Sequence, residues 1–463
     1  MYTNNTICAI ATAPGGAIGI IRISGEDAIA IADSVFKPIG SEVRLKDRKA
    51  YTLSFGNIVN GGEVIDEVLV SVFRAPHSYT GENAVEISCH GSAFILQSVM
   101  QVLIDNGCQP AGPGEFTQRA FLNGKMDLSQ AEAVADLIAS SNKATHDMAL
   151  SQLKGHFSNR LAELRDKLLH MTSLLELELD FSDHEELEFA DRSELQQLAQ
   201  TIMTHITTLA RSFEIGNALK HGIPVAIVGK TNVGKSTLLN CLLHEDKAIV
   251  SDVHGTTRDY IEDTTIIDGI DFRFVDTAGI RNTDDVVECI GIERTYQKLS
   301  EAHIILWIID AMPNAEDMAG IKRRVEGKKL IVVVNKADNA ETISAIDENA
   351  IASFFGNTHI VKISAKLGTN IERLEKMIVK VADIPQLSES DIVVTSVRHY
   401  NALKSAKDNL QRVLDAMEMG LSGDLIAEDL RMVIDNLADI TGKGRISSQE
   451  TLNTIFSEFC IGK

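Results

Sequence analysis

The chain has 463 residues and a formal net charge of −21, with 44% hydrophobic and 24% charged residues. This length is too great for one hydrophobic core and predicts about three domains. The acidic balance argues against indiscriminate nucleic-acid binding, because neutralising phosphates requires a concentrated basic surface. No apolar run approaches the ~20 residues of a membrane span, and residues 1–10 lack the basic start of a signal peptide. The six scattered cysteines include no C-x-x-C pair, which favours reduced thiols and a cytoplasmic location.

The first ~120 residues are typical of a small α+β domain. Apolar runs and alternation predict strands at Thr6–Thr12, Ile18–Ser24, Tyr51–Ile58 and Glu67–Phe73. A helix is predicted over residues 92–106, with one side formed by Phe94, Leu96, Val99 and Leu103. Arg22 and Glu86 are charges set inside apolar stretches, and the pattern alone favours strand residues that face solvent.

Helical patterns dominate from Gly114 onward and return after residue 388. One apolar stripe repeats at three- and four-residue intervals, typical of a helix bundle: Leu161, Leu164, Leu168, Met171 and Leu175. A second stripe ends at the break around Gly442: Leu430, Val433, Leu437 and Ile440. Between Glu176 and Glu194, carboxylates far outnumber the single base Arg192, which is typical of a solvated segment, and we assign it no function.

Residues 223–237 carry the clearest motif. A short apolar run ends at Gly229, and Gly234-Lys235-Ser236 opens a predicted helix, as in the phosphate-binding pattern G-x-x-x-x-G-K-S/T. Backbone N–H groups of such a loop turn inward on phosphates, Lys235 reaches the β- and γ-phosphate oxygens, and Ser236 offers its hydroxyl to Mg²⁺. The expected nucleotide-binding residues here are Asn232, Val233, Gly234, Lys235, Ser236 and Thr237.

Three further motifs end apolar runs. Asp276-Thr277-Ala278-Gly279 supplies a carboxylate for Mg²⁺ and an N–H, that of Gly279, for the γ-phosphate. Asn335-Lys336-Ala337-Asp338 places at Asp338 a carboxylate that can accept two hydrogen bonds from guanine. Adenine offers no matching donors, so ATP is expected to bind on the order of 10⁴-fold more weakly than GTP. Ser364-Ala365-Lys366 brings backbone groups to the base edge. Four ordered motifs therefore indicate a GTPase.

The position after the second motif narrows the hydrolytic mechanism. Ile280 stands where Ras-type GTPases carry the glutamine that orients the attacking water, and an aliphatic side chain cannot do this. The nearest candidates are the downstream acids Asp284, Asp285 and Glu288. No arginine finger is evident in the chain itself, although Arg258 is a candidate.

Together these blocks resemble one family. GKTNVGKS, SDVHGTTRD, DTAGIRNTDDVVECIGIERT, NKAD and the terminal FCIGK are similar to the MnmE (TrmE) family of tRNA-uridine-modification GTPases. GGAIGIIRISG, TGENAVEISCHG and PGEFTQRAFLNGKMDLSQAEA extend the resemblance over the first third. It implies a multidomain fold: an α+β tetrahydrofolate-binding-like dimerisation domain, a helical domain in two halves, and an inserted α/β P-loop GTPase domain. The expected bounds are 1–120, 121–216 with 384–463, and 217–383.

The resemblance also implies metal ligands and a catalytic acid. K⁺, standing in for an arginine finger at a dimer of GTPase domains, would be held by Asn232, Ser251, Val253 and Thr256. Mg²⁺ would be held by Ser236 and Thr257, and Glu288 would orient the water. Ser251 stands where threonine is common, a change that a backbone contact tolerates. Ser251, Thr256 and Thr257 thereby join the nucleotide-binding residues.

For the N-terminal domain, the resemblance implies a folate site. The matching positions for 5-formyl- or methylene-tetrahydrofolate are Arg22, Glu86, Lys125 and Lys463. Glu86 suits the N–H groups of a pterin, and basic residues suit the carboxylates of the folate. Cys460 is placed at the modification centre, as nucleophile, proton donor or structural thiol. The candidate catalytic residues are therefore Glu288, Lys235 and Cys460.

The function implied is that of a homodimeric, K⁺-stimulated GTPase. With a flavin-dependent partner, MnmG, in a heterotetramer, it would add an aminomethyl or carboxymethylaminomethyl group at carbon 5 of the wobble uridine of tRNA. The alternative from the nucleotide motifs alone is a ribosome-assembly or signalling GTPase. A folate enzyme with a vestigial GTPase domain is a weaker third interpretation, because every nucleotide motif is intact.

Overall fold

The computed structural model describes residues 5–180, 192–243, 263–276, 302–325, 327–356, 358–384 and 392–442, with residues 452, 455–457, 459, 461 and 462 near the chain end. The chain divides into two compact units. The first comprises residues 1–139, 149–207 and 401–463, and the second comprises residues 140–148 and 208–400. The four-part division expected from the sequence stays a prediction.

Residues 5–139 contain the first sheet and its helices. The strands are β1 (Ile7–Ile10), β2 (Ile18–Ser24), β3 (Phe36–Pro38), β4 (Thr52–Asn60), β5 (Glu63–Phe73), β6 (Ala84–His90) and β7 (Gln109–Pro110). The helices are α1 (Ala28–Val35), α2 (Ala93–Asp105), α3 (Glu115–Leu122) and α4 (Leu128–Ala139), with a 3₁₀ turn at Leu45–Asp47.

The remaining elements follow in chain order. The helices before the second sheet are α5 (Lys143–Leu153), α6 (His156–Asp180) and α7 (Arg192–His221). The second sheet and its helices are β8 (Ile223–Gly229), α8 (Lys235–Leu243), β9 (Asp263–Ile267), β10 (Ile270–Asp276), β11 (Ile304–Ile309), α9 (Ala315–Arg324), β12 (Lys329–Val334), α10 (Ala340–Ala345), α11 (Glu348–Phe355), β13 (His359–Lys362) and α12 (Ile371–Ala382). The last two helices are α13 (Val397–Glu418) and α14 (Gly423–Thr441).

The first sheet has the order β3-β4-β5-β6-β2-β1-β7 and is antiparallel apart from the β1–β7 pair. One face packs on α1 and α2 around residues such as Ile21, Val70 and Ile87, which are fully buried. The predicted strand over residues 18–24 is confirmed. Helix α1 was not predicted, because its eight residues are too few to show a helical period.

Helix α2 confirms most of its predicted apolar side. Its core contacts come from Leu96, Val99, Val102 and Leu103, all buried. The prediction for Phe94 is wrong, since its side chain is 75% exposed. Phe94 lies on the same face of the helix as the exposed Gln97 and Gln101, and this face is opposite the buried side.

Both apolar stripes of the helical segments are buried as expected. Residues 161, 164, 168, 171 and 175 of α6 are at most 1% exposed, and residues 430, 433, 437 and 440 of α14 are equally buried. The two helices pack against each other along these faces. Gly442, at φ 71°, ends α14 and donates its N–H to the Ala438 carbonyl at 2.8 Å, as a C-terminal glycine in the left-handed region does.

The second sheet has the order β13-β12-β11-β8-β10-β9, and only the β9–β10 pair is antiparallel. The central strand β11 is buried along its whole length, and apolar clusters lie on both faces of the sheet. This is the α/β P-loop architecture expected from the sequence, alongside the α+β and helical parts. Because the parallel strands end at one edge, the loops after them share that edge. Among the described helices, none is long and apolar enough to cross a membrane.

Candidate functional site: a phosphate loop and a guanine-type loop

The phosphate loop connects β8 to α8 with almost no free space around its glycines. A Cβ on Gly229 would lie 2.5 Å from the Ile308 carbonyl oxygen, and a Cβ on Gly234 would lie 2.3 Å from Asn335 Nδ2. Gly234 also has φ 97°, and Asn232 has φ 63°. Only glycine tolerates both the close approach and the left-handed backbone, so no other residue fits at position 234.

The side chain of Lys235 is bonded to the backbone of its own loop. Its Nζ donates to the Gly229 and Lys230 carbonyl oxygens, each at 2.8 Å, so the ammonium lies across the mouth of the loop. Val233 is buried, whereas the side chains of Asn232, Ser236 and Thr237 are exposed. The loop thus presents a lysine and the N-terminus of α8 to solvent, the arrangement that binds phosphate groups.

Asn335 holds the phosphate loop and the 364–366 loop together. Its side chain is only 3% exposed. Nδ2 donates to the Val233 carbonyl oxygen at 2.7 Å, and Oδ1 accepts from the Ala365 N–H at 3.0 Å. The Cys241 thiol adds a hydrogen bond to the Ala365 carbonyl oxygen at 3.1 Å. Removing this amide would leave two buried backbone groups unpaired, which costs about 1–3 kcal/mol each.

Asp338 is positioned by the same loop. The Ser364 hydroxyl donates to Asp338 Oδ1 at 2.6 Å, and Ser364 itself is 1% exposed. This hydrogen bond is the main reason why the pKa of Asp338 is lowered, with a smaller contribution from the positive charge of Lys366. Asp338 is therefore ionised at neutral pH and can accept hydrogen bonds from two N–H donors of a base.

The remaining predicted nucleotide contacts are described only in part. Asp276 ends β10 and pairs with Ile227 of β8, which brings its backbone beside the phosphate loop, but its side chain lies outside the described residues. The following predicted residues also lie outside them: Ser251, Val253, Thr256, Thr257, Arg258, Thr277, Ala278, Gly279, Ile280, Asp284, Asp285 and Glu288.

In the first unit, Arg22 and Glu86 face each other across β2 and β6. They are register partners, and Arg22 Nε donates to Glu86 Oε1 at 2.9 Å. Their side chains are 27% and 30% exposed, so the pair is half-buried rather than on the open solvent face that the pattern alone favoured. The Arg22 guanidinium also lies 5.8 Å from the ring centre of Tyr79 and 5.9 Å from that of Phe116.

The loop that carries Tyr79 is anchored by buried polar groups. The Tyr79 and Thr117 hydroxyls share a hydrogen bond of 2.8 Å, and burial raises the pKa of Tyr79. Ser24 is bonded to Thr80 and donates to Glu82, each at 2.7 Å. Such a fully bonded network holds the aromatic wall beside Arg22 in one position.

The chain end lies at the same pair. The Gly462 carbonyl oxygen accepts from Arg22 Nη1 at 3.4 Å, and Ile461 forms an isolated bridge with Pro113. A Cβ on Gly462 would meet the Ile10 carbonyl oxygen at 2.6 Å. Cys460 and Lys463 lie outside the described residues. Lys125, the fourth predicted folate residue, instead donates to the Pro76 carbonyl oxygen at 3.1 Å.

Comparison with known proteins covers both sites. The family profile "GTP-binding protein TrmE N-terminus" matches residues 6–125, and the profile "MnmE helical domain" matches residues 128–460. A protein of Bacteroides thetaiotaomicron named tRNA modification GTPase MnmE is 56% identical over 465 residues, which cover 99% of this chain and 99% of that protein. The chain belongs to the MnmE family.

Other relatives show the same coverage. Proteins of Phocaeicola vulgatus and Bacteroides fragilis, both named tRNA modification GTPase MnmE, are 53% and 56% identical. The match covers 100% of both chains for the former and 99% of both for the latter. Among solved structures, Aquifex aeolicus Era bound to GDP.AlF4- has 33% sequence identity, a TM-score of 0.29 and coverage of 40% of this chain and 66% of that chain. Membership of the MnmE family rests on the profiles and the curated relatives.

Two ion pairs of this MnmE-family chain were missed by the sequence analysis. Lys336, at φ 61°, pairs through Nζ with Asp310 Oδ2 at 2.6 Å. Lys230 pairs with Asp317 of α9 at 2.7 Å. Asp310 directly follows the wholly buried β11. A charge in that position of the sequence could have indicated a residue with a polar partner at the end of the strand. The contact between Lys230 and Asp317 depends on how α9 packs, which no motif records.

We predict that Asp338→Asn exchanges the base preference of the nucleotide site. An amide presents an N–H donor where guanine also presents donors, whereas xanthine presents a carbonyl oxygen that can accept from it. GTP affinity should fall by on the order of 10²-fold or more while xanthosine triphosphate binds better than it does to the unchanged protein. Calorimetric titration with each nucleotide measures both effects.

Asp268→Asn is the matched control for this substitution. Asp268 lies at φ 50° in the turn between β9 and β10, a conformation that asparagine tolerates. The control should bind both nucleotides as the unchanged protein does. Retention of full GTP affinity by Asp338→Asn would remove this carboxylate from base recognition.

Proposed function

We propose that this chain is a GTPase that takes part in modification of tRNA at the wobble uridine. The observation that carries the proposal is the 56% identity to a protein named tRNA modification GTPase MnmE along 99% of both chains. The site supports it independently, because the phosphate loop and Asp338 supply the two halves of a guanine nucleotide site. Asn335 fixes the distance between those halves.

Binding would use groups that are already in place. The N-terminus of α8 and Lys235 would hold the phosphates, and Asp338 would accept from the base. Backbone groups of Ser364 and Ala365, with Lys336 and Lys366, would border the base. Asn335 is bonded at both ends of its side chain, so it restrains the phosphate loop and the 364–366 loop relative to each other.

Hydrolysis requires an oriented water and neutralisation of charge. Ile280 cannot orient a water, so Glu288 is the proposed residue. Asn232 is exposed at the tip of the phosphate loop, in a left-handed conformation, and its amide oxygen is a suitable ligand for K⁺. Ser251, Val253 and Thr256 would complete that site, and Ser236 with Thr257 would hold Mg²⁺. When bound, a monovalent cation neutralises charge that develops between the phosphates, as an arginine finger does.

We predict that GTP turnover depends on the monovalent cation. At equal ionic strength, turnover in K⁺ should exceed turnover in Na⁺ by on the order of 100-fold. Asn232→Ala should lose most of that difference, whereas Asn240→Ala, an exposed asparagine on α8, should keep it. Phosphate release at saturating GTP measures each rate. Equal rates in the two salts would exclude the cation assignment.

The Arg22–Glu86 pair is the proposed folate site. Glu86 offers a carboxylate oxygen to pterin N–H groups, and Tyr79 and Phe116 border the Arg22 guanidinium. Lys125 and Lys463 would meet the carboxylates of 5-formyl- or methylene-tetrahydrofolate. Ile461 and Gly462 bring the chain end to this pair, which supports a place for Cys460 near the one-carbon group.

Glu86→Gln tests the folate site because it keeps the shape and removes the charge. A charge-assisted hydrogen bond contributes about 1.5–3 kcal/mol, so affinity for 5-formyl-tetrahydrofolate should fall by about 10- to 100-fold. Glu26→Gln, at an exposed glutamate of the same sheet region, is the control and should bind normally. Calorimetry on the full chain gives both constants, and unchanged binding by Glu86→Gln would place folate elsewhere.

The modification itself needs partners. In this proposal the chain forms a homodimer and works with the flavin-dependent protein MnmG, in a heterotetramer, to add an aminomethyl or carboxymethylaminomethyl group at carbon 5. A tetrahydrofolate supplies the carbon, and GTP hydrolysis drives dimerisation of the GTPase domains and a conformational change rather than forming the new bond.

Mass spectrometry of wobble uridines tests the function directly. In cells that lack this protein, the modified uridines should disappear, and the unchanged gene should restore them. Glu288→Ala should bind GTP normally, hydrolyse it slowly and fail to restore the modification. Unaltered uridines, together with co-sedimentation of the protein with ribosomal subunits, would instead support a ribosome-assembly GTPase.

A further inference from the structure

A cavity lies in the second unit (residues 140–148 and 208–400), which we call the inserted unit, at the side of its sheet opposite to the nucleotide motifs. Its volume is about 720 Å³. It is bordered by the starts of β12 and β13 and by the ends of α9 and α12. The phosphate loop, Asp310 and Asp338 all follow the carboxyl ends of parallel strands, so they lie at the other edge. The cavity is therefore separate from the nucleotide site.

The cavity concentrates positive charge. We call it the basic cavity, and its charged lining residues are Lys322, Arg323, Lys328, Lys329, Lys380 and Asp383. Among the described lining residues, five cations thus face one carboxylate, in a chain that has 44 basic and 65 acidic residues. Asp383 has a side chain that is 88% exposed and lies 3.9 Å from Lys329, so it neutralises little of this charge. Glu326 and Asn357, in adjoining turns, lie outside the described residues.

Two of the cations build the wall of the basic cavity. Lys322 Nζ donates to the Phe354 carbonyl oxygen at 2.8 Å and lies 4.8 Å from the centre of its ring. Lys329 Nζ donates to the Ala382 carbonyl oxygen, also at 2.8 Å. These bonds tie α9 to α11 and β12 to α12 and hold both ammonium groups in place.

Stabilisation of helix ends accounts for only part of the charge. Lys322 and Arg323 lie in the last turn of α9, where basic residues complement the helix dipole. Lys328 precedes β12, however, and burial lowers its pKa, so a positive charge there lacks some of the stabilisation that water would provide. Lys380 comes from α12. Three separate elements therefore direct cations to one place, as an anion site requires.

We propose that the basic cavity binds phosphates of an RNA backbone and gives the inserted unit a contact with tRNA. This rests on the proposed function, which makes tRNA the substrate. Four of the five cations are lysines, point charges that suit phosphate contacts without reading sequence. The net charge of −21 repels RNA from most of the surface, so binding concentrates where cations predominate. A cavity of this size accommodates a stretch of backbone rather than a single ion.

The test neutralises two cations of the lining that come from different elements. Lys328→Gln with Lys380→Gln, in the full chain, should weaken binding of a fluorescein-labelled tRNA transcript roughly 10-fold at 0.1 M KCl. The slope of log K against log salt should fall by about 1.5–2, because a protein that neutralises fewer phosphates releases fewer counterions from the RNA. Fluorescence anisotropy over a KCl series gives both quantities. GTP turnover without tRNA should stay unchanged, which shows that the inserted unit is folded.

The matched control removes the same charge from another place. Lys404 and Lys407 are exposed on α13, and Lys404→Gln with Lys407→Gln should keep the affinity and slope of the unchanged protein.

The proposal is overturned if the Lys328 and Lys380 variant binds tRNA normally, if the control loses as much affinity, or if the unchanged chain binds no tRNA. It is also overturned if poly-glutamate competes as well as poly-uridylate at equal charge, which would indicate an acidic protein segment as the occupant. Normal wobble uridines in cells lacking the protein would contradict the proposed function, whereas these binding outcomes concern the cavity alone.

Discussion

The nucleotide site depends on the buried amide of Asn335. Both of its polar ends are bonded to backbone, one to the phosphate loop at Val233 and one to the following loop at Ala365. Gly234 lies so close to the same side chain that no Cβ would fit. The spacing between the phosphate loop and the 364–366 loop is therefore set by one residue in the core, and Ser364 then orients Asp338 from the same loop. One buried side chain therefore positions groups on two loops at once.

Much of this site could be predicted because each motif sits at the end of a buried strand. Parallel strands bring their carboxyl ends together, and the motifs of Gly229, Asn335 and Ser364 follow such ends although long stretches of chain separate them. The pairs of Lys336 with Asp310 and of Lys230 with Asp317 were not predicted. These ion pairs depend on the rotation of a helix or on the direction of one side chain. Neither property produces a recognisable pattern in the sequence.

The first unit shows the same limit. The stripes on α6 and α14 were predicted, since a helical period records which side is buried. Phe94 was misplaced because its apolar side chain alone suggested burial, although helical spacing puts it on the face of the exposed Gln97 and Gln101. The pattern around Arg22 and Glu86 indicated two solvent-facing charges. Only the register of β2 against β6 shows that they form a half-buried pair, and register between distant strands is invisible in single segments.

The contact of Arg22 with Gly462 joins residues 440 positions apart. During synthesis, domains generally fold from the N-terminus as they emerge. All strands of the first sheet lie before residue 111, so the sheet and its Arg22–Glu86 pair can form before residues 461 and 462 are synthesised. The contact with Gly462 is then a late docking step onto a folded surface. Slow synthesis of the intervening chain would delay this contact without delaying the sheet.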